Sequence, residues 1–285
     1  MIPNWSMVFI GGFAHVRACM AFSRELIRQE KHDLHFISSG PTVHVDLLAA
    51  GRVIKRMEVG YSGIETIGPG PNVRRRIEEG FLKVEDYTNF TMAMRLYGGA
   101  LGVPFMPVKS ILGSDIEVKS SFKDIRQKLS VVECPFTGEI VCLVPSVNPD
   151  FGVIQAQRCD EEGNVQIDDV TTTDVDGLKA SDVKIVLAEE IVPTARIRKD
   201  PARTKIPGLM VDFIVECQWG AWPTGMFNFY DYDQDHIELY AGLCETEEGW
   251  EKYKEEWVLP SEEEILKKIG ARGLEKLKAK PGLGY

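Results

Sequence analysis

Short apolar runs rich in β-branched residues alternate with segments of helical periodicity along most of this chain, and that alternation limits the fold more than any other feature. The runs fall at 8–10, 34–37, 53–59, 139–144, 151–156, 183–187 and 211–215, and helical patterns occupy 18–30, 42–50, 72–79 and 89–100. A strand covered on both faces reads as a continuous apolar run, and two parallel strands need a crossover segment, usually a helix, between them. The pattern predicts an α/β fold with an open, largely parallel sheet and flanking helices. Residues 1–245 are expected to form this domain. In 246–285 the aromatic residues Trp250, Tyr253 and Trp257 recur at helical spacing, and Ser261 with Glu264 reads as a capping box. That segment is expected to be a helical tail packing on the same domain.

The first run ends in Gly11, Gly12 and Phe13, followed by His15, Arg17 and an amphipathic helix. The full G-x-G-x-x-G fingerprint and its following acidic residue are absent, which excludes a dinucleotide site. Two glycines at the carboxyl end of a strand allow either a plain tight turn or close approach of a ligand to backbone amides. In parallel sheets ligands bind beyond those strand ends. The loop "VGYSGIETIGPGP" again follows a strand and is either a solvated connection or part of the same crevice. Arg74, Arg75 and Arg76 read as a solvated helix face or as the best local candidate for an anionic ligand, and Glu189 and Glu190 as carboxylates near a helix N-terminus. "CDEEGNVQI" reads as a turn between two strands.

Composition narrows the function. The net charge of −10 argues against a dedicated nucleic-acid binder. The six cysteines lack CxxC or Cys/His spacing, which favours reduced cytoplasmic thiols over a disulfide framework or a metal site. No membrane span or signal peptide is read. No GxSxG, HExxH or P-loop occurs. From the residues alone the chain is an α/β ligand-binding protein without a self-contained catalytic set.

The segments "VFIGGF", "DLHFISSG", "LLAAGRVIKR", "GALGVPFMPVKSILGSD", "QAQRCDEEGNVQI", "IVLAEEIV" and "IPGLMVDFIVECQWGAWPTG" follow one another in that order. Together they resemble the A (alpha) subunits of the class I CoA-transferases, in particular the glutaconate type. The resemblance implies one part of a heteromer, a heterotetramer or larger, in which CoA passes between an acyl-CoA thioester and a free carboxylate. It implies that CoA is a substrate, that no cofactor is bound, and that the glutamate nucleophile sits on a B (beta) subunit. It makes Gly11, Gly12 and Phe13 a floor whose amides meet the thioester oxyanion. Arg17, Ser62, Ile64 and Asn89 become candidates to face the acyl group, Arg17 alternatively being a solvent-facing residue at a helix start. His15 is expected to be a satisfied structural histidine.

Three departures accompany the resemblance. The family opens with a short helix, whereas here "MIPNWSM" leads almost directly into the first strand. Trp5 stands where the family has a small turn residue, and Ile64 where the glutaconate enzymes have a polar one. Related ring-opening hydrolases carry a catalytic glutamate where this chain has Asn89, and an amide is no general base, which favours transfer. The alternatives are a related acyl-CoA hydrolase or glutaconyl-CoA-type decarboxylase subunit, a ligand sensor, or a sugar-phosphate isomerase on a similar fold.

Overall fold

The computed structural model describes residues 2–123 and 127–284. In chain order the elements are β1 (Met7–Ile10), α1 (Met20–Arg28), β2 (Leu34–Ser38), α2 (Val43–Ala50), β3 (Ile54–Val59), α3 (Pro71–Glu78), β4 (Lys83–Asp86), α4 (Asn89–Leu101), β5 (Phe105–Val108), α5 (Asp115–Val118), β6 (Ser130–Glu133) and β7 (Ile140–Pro145). They continue with β8 (Phe151–Asp160), β9 (Val165–Gln166), α6 (Asp174–Ala180), β10 (Val183–Val192), α7 (Thr194–Ile197), β11 (Thr204–Ile206), β12 (Phe213–Glu216), α8 (Gln234–Leu243), α9 (Glu247–Trp257) and α10 (Glu262–Leu277).

Seven strands run parallel in the order β4-β3-β2-β1-β8-β10-β12. The short strands β9 and β11 add antiparallel pairs at the end of β8. Successive strand residues face opposite sides, so each strand feeds two cores. Val8 and Ile10, Leu34 and Phe36, and Ile185 and Leu187 face α1, α2, α8 and α9. Phe9, Ile37, Ile154 and Val186 face α4 and α6. The largely parallel α/β sheet read from the sequence is present.

One run departs from that reading. The run at 139–144 falls in β7 (Ile140–Pro145) of a separate antiparallel sheet, β5-β7-β6, inserted between α4 and β8. Helix α4 opens on a Thr88–Thr91 capping box and closes on Gly102 at φ 70°. Left-handed closure redirects the chain into β5. The tail lies against the main core: Trp250 and Tyr253 are buried there beside Tyr240 of α8. Arg76 is fully buried as well, paired with Glu79 and Glu247 and bonded to the carbonyl of Ala50, so it ties α3 to α9, whereas Arg74 is exposed and Arg75 half-buried, and the solvated face expected holds only in part. All six cysteines are free thiols. No helix among the described residues is long and apolar enough to cross a membrane.

Candidate functional site at the carboxyl ends of the strands

The parallel direction places the loops after β1, β2, β3 and β4 along one edge of the sheet. Strand β1 is the point where the order divides, with β2 on one side and β8 on the other. Connections diverge there and leave a crevice. The loops are knitted into a crest by main-chain bonds. Ala14 N–H donates to Gly40 O at 3.0 Å, and the amides of Gly60 and Tyr61 donate to Ser39 O at 2.9 and 3.0 Å. Asn89, the first residue of α4, is held on that crest: Ser39 Oγ donates to its carbonyl at 3.3 Å. A Cβ on Gly60 would lie 2.5 Å from both the Asn89 amide nitrogen and its Oδ1, so only glycine lets the β3 loop close on Asn89.

The loop after β1 is strained. Gly12 has φ +103°, and Ala14 and Arg17 sit at φ 52° and 51°. Trp219 and Asn228, in the segment that crosses this loop, are also left-handed. Each non-glycine residue so placed costs about 1–2 kcal/mol, and such outliers gather where a surrounding structure over-determines them for a function.

What holds the loop is a buried charge cluster. Arg17 is fully buried. Its guanidinium pairs with Asp169, donates to Asp174 Oδ2 at 2.9 Å and to Val170 O at 2.7 Å. Burial works against its charge, but Asp174 and Asp169 more than offset this and hold the guanidinium charged. Burial pushes the Asp169 carboxyl up, against the pull of Arg17. Asp174 Oδ1 in turn accepts the Gly12 N–H at 2.9 Å.

These contacts alter several expected roles. The Gly11 amide donates to Val153 O at 2.8 Å, the Gly12 amide to Asp174, and the Phe13 amide to Val16 O at 3.0 Å. The three floor amides are therefore engaged within the chain, not free for an oxyanion. Arg17 neither meets an open crevice nor points to solvent, because its terminal nitrogens are spent on the two aspartates. Ile64 is fully buried in the main core, since the loop folds back through Gly68 N–H to Ile64 O. Ser62 is half-buried, and Tyr61 and Glu65 are the more exposed residues of that loop. Both ring nitrogens of His15 are buried without a hydrogen-bond partner, so it is not the satisfied structural histidine expected. The structure brings Phe13, Gly40, Gly60 and Asn89 into one crest: a Cβ on Gly40 would meet the Phe13 ring at 2.6 Å.

Because Ile64 serves the core, Ile64→Val should cost about 0.5–1.5 kcal/mol of stability and leave the ranking of acceptor acids unchanged. Urea denaturation and kcat/KM for a panel of acids check both halves.

The role of Glu189 has no local signature in the sequence. It lies within β10, not at a helix start, and is buried. It accepts from Tyr230 Oη at 2.6 Å, Trp219 N–H at 2.6 Å and Gln155 Nε2 at 3.0 Å. Its neighbour Glu190 points the other way, to Arg158 and Arg196. Burial raises the Glu189 carboxyl to about 7, although these donors pull it down. The folded state therefore keeps a proton that the unfolded chain releases near the ordinary glutamate value. Stability should fall as pH rises from about 4.5 to about 7, by about 3 kcal/mol, and level off above. Glu189→Gln should remove that contribution, which guanidinium denaturation at pH 5 and pH 8 will read as a smaller difference than in the wild type.

The comparisons with known proteins match the sequence and the fold. The family described as Coenzyme A transferase matches residues 1–217. An uncharacterised protein of Archaeoglobus fulgidus is 37% identical over 97% of this chain, which spans only 62% of that relative's length. The A subunit of glutaconate CoA-transferase from Acidaminococcus fermentans is 34% identical over 98% of this chain and 91% of its own. The crystal structure of that enzyme superposes with a TM-score of 0.94 at 31% identity, covering 99% of this chain and 93% of the other. The decarboxylase AibA/AibB superposes with a TM-score of 0.76 at 32% identity over 88% and 91%. The chain belongs to the coenzyme A transferase family, in which CoA is a substrate, and it is a homologue of the A subunits. Among the described residues no group of three or more His, Cys, Asp or Glu side chains is placed to hold a metal ion.

Proposed function

We propose that this chain is the alpha half of a heteromeric CoA-transferase that moves CoA between an acyl-CoA thioester and a free carboxylic acid, a dicarboxylate such as glutaconate being the first to test. The observation that carries the reading is the state of the buried acids around the crest. Asp169 and Asp174 are tied to Arg17, and Glu189 is held by Tyr230, Trp219 and Gln155. None is a free nucleophile, so the carboxylate that attacks the thioester comes from a B subunit docked against the crest. That glutamate forms an anhydride with the acyl group, CoA moves to the glutamate, and the second acid reverses the steps. Gly11 to Phe13, Ser62 and Asn89 line the wall that this chain offers to the acyl end. Binding of the remote CoA moiety offsets the strain of the attack. A cytoplasmic setting and a heterotetramer or larger assembly belong to the same proposal, the first resting on six unpaired thiols.

The second reading is a decarboxylase or hydrolase subunit, favoured by the likeness to AibA/AibB. Asn89 in place of an acid weighs against the hydrolase, because an amide cannot take a proton from water. The test is the fate of the thioester in the reconstituted heteromer given acetyl-CoA and each of glutaconate, glutarate, acetate and a branched monocarboxylate. Transfer conserves total thioester and depends on the acid. Loss of thioester without an acceptor, or release of carbon dioxide from glutaconyl-CoA in place of transfer, would overturn the proposal.

A further inference from the structure

We propose that Glu189 is a positioning residue for CoA transfer: it pins the segment 219–230 that clamps the loop after β1, and through that clamp it fixes the wall offered to the acyl group. This rests on the CoA-transfer reading above and goes beyond it by naming what keeps the wall in register.

The clamp is made of bonds to the main chain of the loop. Ala21 N–H donates to Gly220 O at 2.9 Å, Arg17 N–H to Gly225 O at 2.9 Å, and Gly225 N–H to His15 O at 2.7 Å. Ala18 N–H donates to Thr224 Oγ1 at 3.2 Å. Val16 and Gly225 pair as neighbouring strand residues do. The segment therefore grips residues 15–21 along their length. The reciprocal bonds between Phe13 and Val16 carry that hold to the turn at the crest. Residues 219–230 belong to no helix or strand, so no ladder of their own fixes them and an anchor outside the segment must.

Glu189 has the position and the contacts of that anchor. Along β10, Ile185, Leu187 and Glu189 face the same side of the sheet, and the first two are core residues. The third place in the row is taken by a residue that is 3% exposed. A buried carboxyl is unfavourable unless hydrogen bonds compensate it. Two of the bonds come from the two ends of the clamp: Trp219 N–H donates to Oε2 at 2.6 Å and Tyr230 Oη to Oε1 at 2.6 Å. The two aromatic rings stack with centroids 4.2 Å apart and planes 18° from parallel, and Tyr230 Oη also accepts Ala221 N–H at 3.2 Å. Trp219 has φ 59°, a conformation that its bond to Glu189 helps to sustain. One group in the sheet thus gathers both ends of an irregular segment, and that segment holds a loop in which Ala14 and Arg17 are left-handed as well.

Without the anchor, 220–225 loosens and residues 15–21 drift with it. A wall displaced by about 1 Å is enough to cost about 100-fold in rate. Binding of the remote CoA moiety does not depend on that wall, so the loss falls on kcat.

The experiment compares Glu189→Leu, Glu189→Gln and Tyr230→Phe in the heteromer, by steady-state CoA transfer at pH 6 and by hydrogen exchange at single amides. Glu189→Leu should lower kcat about 100-fold with KM for the acyl-CoA within about threefold. The amides of Arg17, Ala18 and Ala21 should be accelerated at least about tenfold more than those of β1 and β2, the mark of local opening and not of general loss of stability. Burial holds the Glu189 carboxyl up at about 7 and raises Tyr230 and Cys217, the other titratable groups facing it, so at pH 6 glutamine matches its charge. Glu189→Gln keeps an acceptor for Trp219 N–H and should recover most of the rate. Tyr230→Phe removes one of the two bonds and should lower kcat about tenfold with the same exchange pattern; it carries the test should Glu189→Leu not assemble. A kcat within about threefold of wild type in the assembled variants that lack a bond, or exchange accelerated equally in the clamped loop and the sheet, would overturn the assignment while leaving the CoA-transfer reading in place. A wild-type heteromer inactive with every acid would overturn both.

Discussion

Gly12→Val should reduce CoA transfer by more than about 100-fold and destabilise the chain by about 3–5 kcal/mol. The backbone at Gly12 has φ +103°, which a β-branched residue adopts only under strain. The space is also taken. A Cβ there would lie 2.5 Å from Ala18 Cα, 2.9 Å from Ala18 N and 3.0 Å from Arg17 O, all main-chain atoms that cannot swing aside. Relief of the clash requires the loop to move, which breaks the buried bond from Gly12 N–H to Asp174 and adds about 1–3 kcal/mol to the strain. The crest would then lose its wall even where the remaining sheet survives. Transfer rate beside a urea denaturation curve reads both effects. Near wild-type turnover would mean that this loop does not border the acyl site.

Arg17→Met should cost about 3–5 kcal/mol, because it leaves Asp169 and Asp174 buried with no counter-charge. The Asp169 carboxyl, already pushed up by burial, would then rise further, so the variant should be most impaired at high pH and partly recover as the pH falls. Removing one of the stranded charges should help at any pH. The double variant Arg17→Met with Asp174→Asn should be more stable than the sum of the two single losses, and a double-mutant cycle by chemical denaturation at pH 5 and 8 measures this coupling. Additive losses with no pH dependence would contradict the pairing.

The alternation of apolar runs and helical patterns placed six of the seven parallel strands, because burial on both faces writes itself into local composition; β4 is half-exposed and carries no apolar run. Helix α4 matched its pattern to within a residue at its C-terminal end. Strand β7 could not be assigned to the right sheet, since a half-buried antiparallel strand and a short parallel one look alike over a few residues. The site was less legible. The partners that hold Arg17 lie far along the chain, at Asp169 and Asp174, and nothing local announces them. Ile64 misled because one apolar residue in a Gly/Pro-rich loop can face a ligand or the core, and only the fold decides. His15 was legible as a position but not as a group without a partner, which requires knowing every neighbour. Trp5 sits at φ 73°, so the small residue expected there from the resemblance has a conformational reason.

If this chain supplies one wall of an active site whose nucleophile it lacks, catalysis must appear only when the second subunit is added. The direct measurement is exchange of labelled CoA between acetyl-CoA and a dicarboxylate, assayed for the purified chain alone and for the same chain combined with its B subunit. No exchange above background is expected from the chain alone, and sustained exchange from the heteromer. Turnover by the isolated chain would contradict the division of labour between the two subunits.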